Sequence, residues 1–130
     1  MARFRLSAPA QVELAAILET SLDRWGEEAR ARYAALLAAA MQKIAANPDG
    51  PTTKDRSDLA AGLRGFHIRH ARGRLDVESP VHVIFYRSGA SGWIDVVRVL
   101  HERMDTTRHL GQTESVDPPP RGRRRRSRSR

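Results

Sequence analysis

The sequence predicts an α+β domain of order β-α-α-β-β-β, with a helix hairpin packed on one face of a small antiparallel sheet. Three observations carry this. Residues 8–46 show two stretches of helical apolar spacing that meet at a single glycine, Gly26. Residues 66–100 show three short β-rich runs separated by loops. Short loops make consecutive strands antiparallel neighbours, and segregated helices and strands indicate a layered α+β architecture.

Phe4-Arg5-Leu6 is a first strand, and Ser7 follows where a helix N-cap belongs, with Pro9 in the first turn. Leu14, Ile17, Leu18, Leu22 and Trp25 recur at three- and four-residue spacing, so they form one apolar stripe and Trp25 is expected in the core. Gly26 supplies a left-handed cap, and Glu27 and Glu28 then suit the positive end of a second helix. That helix carries Tyr33, Leu36, Leu37, Met41 and Ile44 on one side and ends at Asn47-Pro48-Asp49-Gly50-Pro51. Residues 52–62 read as a loop. Phe66 and Ile68 alternate with His67 and Arg69 as a half-exposed strand with a basic outer face. Val81–Arg87 is a second strand, and Ser88–Gly92 turns it into a third.

The third strand is expected to be central. Ile94, Val96 and Leu100 fall on one alternating face and Trp93, Val97 and Val99 on the other, which suits a strand covered on both sides. Its apolar run stops at His101, and Glu102, Arg103, Asp105, Arg108 and His109 follow within nine positions. A rigid strand that delivers a dense polar group to its own exit is a candidate binding or catalytic site. The alternative is a solvated turn.

At 130 residues, 40% of them hydrophobic and none cysteine, the chain is one globular domain without disulfides or thiolate metal sites. Glu13 and Glu19 interrupt the apolar N-terminal region, so no signal peptide is expected, and no run is long enough for a membrane. A cytoplasmic protein is the default. The net charge of +8 is concentrated in residues 121–130, which hold seven arginines and no acid. The remaining 120 residues carry 16 basic against 15 acidic groups. Residues 111–130 are therefore expected to be a disordered Pro/Arg-rich tail behind a folded body over 1–110, serving either non-specific nucleic-acid contact or solubility. His67 and His70 resemble a metal pair, but an offset of three on a strand would place them on opposite faces, so no metal and no cofactor is expected.

The strand–hairpin–meander order, with "GLRGFHIRH", "VHVIFYR" and "IDVVRVLHERMDTTRHL", resembles the RelE/ParE superfamily of toxins from bacterial type II toxin–antitoxin systems. The final block is similar to the ParE-type pattern His-x-Arg-x-Asp followed by Arg-His, here His101, Arg103, Asp105, Arg108 and His109. The resemblance covers roughly residues 3–110. It implies a growth-inhibiting toxin neutralised by a cognate antitoxin, with DNA gyrase as target in ParE-like members and ribosome-bound mRNA as substrate in RelE-like ones. RelE-type sites resemble one another in a terminal aromatic, and residues 94–130 contain no Tyr, Phe or Trp. The gyrase reading is therefore preferred and no catalytic residue is assigned; under the ribonuclease alternative the candidates are His101 and Arg103. Arg69, Arg87, His101, Arg103, Asp105, Arg108 and His109 are the expected target- or antitoxin-binding residues.

Overall fold

The computed structural model describes residues 3–104 and 106. Strand β1 (Phe4–Leu6) leads into helices α1 (Ala8–Trp25) and α2 (Glu27–Ala46). Strands β2 (Thr53–Asp55), β3 (Arg64–His67), β4 (His82–Ser88) and β5 (Ile94–His101) follow. They form one mixed sheet of order β1-β5-β4-β3-β2, in which β1 runs parallel to β5 and all other neighbours are antiparallel. The expected α+β architecture, the helix hairpin and the antiparallel meander of the last three strands are present, but the sheet has one strand more than expected and is mixed rather than antiparallel, because β1 lies parallel to β5.

The start of α1 is built as its sequence dictates. The Ser7 hydroxyl accepts from the Ala10 N–H (3.0 Å) and donates to the Val97 carbonyl (2.6 Å), so one side chain both caps the helix and ties it to β5. Gly26, at φ 94°, reverses the chain between the helices with the left-handed φ that glycine tolerates. Buried Leu36, Leu37, Ala40 and Ile44 of α2 pack with Phe66, Ile84, Tyr86, Ile94, Val96 and Val99 of the sheet. On the opposite face Ala60, Leu63, Phe85, Val97 and Leu100 form a second, smaller core. Strand β5 is thus covered on both sides, as its uninterrupted apolar run requires.

Four details differ from the sequence reading. Residues 52–62 are not all loop: the polar strand β2 pairs with β3, and Arg64 donates to the Thr53 hydroxyl (2.8 Å) to hold it. Strand β3 ends at His67, because its imidazole accepts the Arg69 N–H (3.1 Å) and starts a 3₁₀ turn over Ile68–Ala71. Trp25 is 67% exposed rather than core, since α1 buries only Ala10 and Ser21 fully and its last turn presents its apolar side to solvent. Finally, the two faces of β5 are not the simple alternation expected. The pairing skips at Val97, with Tyr86 opposite Val96 but Phe85 opposite Arg98. A bulge of this kind shifts the side-chain parity. It moves Val99 to the helix face and Leu100 to the other.

Candidate functional site

Each strand of the meander carries a histidine near the same end of the sheet. His67 closes β3, His82 opens β4 and His101 closes β5, and the antiparallel order brings these termini together. His82 and His101 are directly paired, with ring centroids 5.7 Å apart and an interplanar angle of 78°. His67 is paired with Val83, one position along the same strand.

Backbone hydrogen bonds determine where the His67 and His101 rings carry their hydrogen. Nδ1 of His67 accepts the Arg69 N–H, so its hydrogen is on Nε2, which donates to Glu102 (2.6 Å). Nδ1 of His101 accepts the Arg103 N–H (3.1 Å), which likewise leaves the hydrogen on Nε2. The Tyr33 hydroxyl accepts the Val81 N–H (3.2 Å) and shares a hydrogen bond with Nδ1 of His82 (2.7 Å). In His67 and His101 the lone pair of Nδ1 is thus occupied and Nε2 is a donor. Burial, reinforced by His101 and His67, depresses the His82 pKa to about 4, and burial raises that of Tyr33. The hydrogen bond from His67 holds the Glu102 carboxyl below its ordinary value.

Two clefts meet at His101. On the sheet face away from the helices lies one of about 220 Å³, floored by Gly65, Val83 and Phe85. Its rim carries Lys54, Arg56, His67, Arg69, His101 and Glu102. On the helix side a cavity of about 350 Å³ runs from Trp25 and Ile17 past Tyr33 to His82 and His101.

Of the residues expected from sequence, the structure brings Arg69 and His101 to the same cleft; Arg103 does not line it, and its backbone N–H bonds to His101. Arg87 sits elsewhere. It lies five residues from His82 along β4, a rise of about 17 Å, paired with Asp95 and reaching the Ala61 carbonyl. Asp105, Arg108, His109 and the 111–130 tail lie outside the described residues. The sequence reading passed over His82, Lys54 and Arg56, and it weighed His67 only against His70. The missed signal was positional: each predicted meander strand carries one histidine, at the end where an antiparallel path gathers them. Among the described residues no group of three or more His, Asp or Glu side chains is arranged to hold a metal ion.

Residues 4–106 match the family model described as ParE toxin of type II toxin-antitoxin system, parDE. The chain is similar to Toxin ParE1 of Mycobacterium tuberculosis (strain ATCC 25618 / H37Rv), with 38% identity over 108 residues, 83% of this chain and 97% of the relative. It is also 39% identical to Toxin ParE1 of Caulobacter vibrioides over 111 residues, covering 85% of this chain and all of the relative. Toxin ParE of Escherichia coli is 32% identical over 110 residues, which span 85% of this chain and 94% of that one.

Proposed function

Because the chain belongs to the ParE toxin family of type II toxin–antitoxin systems, we propose that it arrests growth by inhibiting DNA gyrase in the cytoplasm until a cognate antitoxin neutralises it. The observation that favours gyrase over RNA cleavage is the state of the histidines. Attack by a ribose 2′-hydroxyl needs a base with an available lone pair. His67 and His101 each have Nδ1 occupied by a backbone N–H, while Nε2 carries the ring hydrogen. The nearby carboxylate of Glu102 is made a weaker base by its hydrogen bond to His67. The absence of an aromatic side chain from residues 94–130 points the same way. A protein that binds and blocks, rather than one that turns over RNA, fits this chemistry.

The antitoxin segment is expected to be acidic where it meets Arg69 and Arg103, and apolar where it meets Trp25 and Leu22, the exposed side of α1. Induced expression without antitoxin tests the target. Filamentation and gyrase-linked double-strand breaks should appear while ribosome-bound messages stay intact. Purified protein should inhibit supercoiling by gyrase, and added antitoxin should restore it. Codon-positioned cleavage in the ribosomal A site before any DNA break would overturn the reading and make His101 and Arg103 catalytic candidates.

A further inference from the structure

The cleft on the helix-free face of the sheet is built for an anion, although the folded body as a whole is close to neutral. Its three cations come from separate places: Lys54 from β2, Arg56 just after it, and Arg69 from the 3₁₀ turn after β3. Arg56 is paired with Asp58 (3.0 Å). Lys54 and Arg69 are exposed, and neither has an ion-pair partner among the described residues. Thr52 and Thr106 add hydroxyls to the rim, and Glu102 is the carboxylate that lines it. Glu102 already accepts the His67 Nε2–H, which lowers its demand for the cations around it. The floor is low because β3 has a glycine there: a Cβ on Gly65 would stand 3.3 Å from the Phe85 ring.

We propose that this cleft binds a phosphate of a nucleic-acid strand, with Lys54 and Arg69 supplying charge and His101 donating its Nε2–H, while His67 keeps its own N–H on Glu102. Phosphate suits this donor set, since it offers several acceptor oxygens to two cations and an imidazole N–H arriving from different directions. Binding without cleavage follows from the same tautomers that deprive the site of a base. Backbone contacts of this kind carry no sequence information, so the cleft would hold a strand by its phosphates and tolerate any bases. Because the cleft's chemistry is independent of gyrase, the binding is measurable with the protein and an oligonucleotide alone, and its failure would leave the gyrase reading standing.

The test uses the full-length chain and a fluorescein-labelled ten-nucleotide single-stranded DNA, titrated by fluorescence anisotropy between 50 and 200 mM salt. The variant is Lys54→Ala/Arg69→Ala, with both sites exposed and thermal unfolding as the control for folding. The arginines of residues 121–130 are the same in both proteins, so any difference reports the cleft. Loss of two phosphate contacts should weaken binding about tenfold and reduce the slope of log affinity against log salt by roughly 1–2. Inorganic phosphate should move the amide resonances of Lys54, Gly65, His67 and Arg69 saturably. Equal affinity and slope in the two proteins, or phosphate-induced shifts confined to residues 121–130, would overturn the proposal. So would a Glu-rich peptide that saturates the same amides more tightly than the oligonucleotide, because the cleft would then be a seat for protein carboxylates.

Discussion

Glu13→Ala tests how the exit of β5 is held in place. Strand β1 pairs with β5 only as far as Val96, which would leave the next stretch of β5 as an open edge. Helix α1 covers it. The Glu13 carboxylate accepts from Arg98 Nε (2.7 Å) and from the Val99 backbone N–H (2.8 Å), while Ser7 takes the Val97 carbonyl. The two side chains of the pair are only 18% and 15% exposed. Removing one member of a buried pair costs about 3–5 kcal/mol. Partial solvent contact places this pair near the lower end of that range, and the orphaned Val99 N–H adds a share. A loss of about 3 kcal/mol is expected, which for a body of this size is a fall in Tm of roughly 12 °C or more. Glu13→Gln keeps an acceptor for Val99 and should lose about half as much. Thermal and urea unfolding followed by circular dichroism measure both. An alanine variant within about 0.5 kcal/mol of the parent, or a glutamine variant no better than alanine, would refute the tether.

Four further outcomes are expected. His82 takes up its proton at about 4 in the folded protein but near 6.5 when unfolded, so its contribution to stability is complete above pH 6.5 and lost as pH falls towards 4. Allowing for partial exposure, the loss is on the order of 2 kcal/mol, and it should be much reduced in His82→Gln when urea unfolding is followed against pH. Trp25→Ala should change stability by less than about 1 kcal/mol, against the 3–5 typical of a core tryptophan, because the ring is already exposed; a calorimetric melt checks this. Arg103→Ala removes an exposed side chain but keeps the backbone N–H bonded to His101. It should melt within about 0.5 kcal/mol of the parent while weakening growth inhibition or antitoxin binding in paired assays. Deleting residues 121–130 should leave Tm and growth inhibition unchanged and lower only the overall affinity for nucleic acid.

What was legible in the sequence follows from where the deciding forces act. Ser7, Gly26 and Asn47-Pro48 mark the helix ends because capping is local chemistry, and all three boundaries stand. The apolar run of β5 announced a strand buried on both faces. The parity change at Val97 was not legible, because a bulge depends on how Phe85 and Tyr86 meet the strand rather than on the strand's own residues. Strand β2 was hidden for a related reason: Thr53, Lys54 and Asp55 have no apolar alternation, and they extend only because Gly65 and Arg64 lie alongside. Trp25 shows the limit of periodicity, which places a residue on a face but says nothing about how far the neighbouring element extends to cover it. Of the residues that line the cleft, His101 stood out in the sequence from the charged run at the exit of β5, and Arg69 from the basic outer face of the strand before it. His82 and Lys54 needed the strand order before their proximity had meaning.

The arginines of the body divide by what they touch, and that division locates where, among the described residues, a nearly neutral domain keeps positive charge unmatched by an ion pair. Arg5 pairs with Asp95, Arg30 with Glu27, Arg64 with Asp49 and Arg98 with Glu13, while Arg72 donates to the Val77 and Glu78 carbonyls. These cations are matched within the fold, and a partner would have to break an existing contact to use them. Lys54 and Arg69 instead line the cleft beside His101, whose Nδ1 is already occupied. Charge available for recognition is therefore set by pairing and not by count, which is why net charge alone directs attention to the tail. The same division separates the two kinds of variant physically. Breaking a matched pair such as Glu13 with Arg98 removes stability first, and every activity falls with the folded population. Removing Lys54 or Arg69 leaves the fold without an unsatisfied partner, so any loss of binding at unchanged Tm must come from the cleft itself.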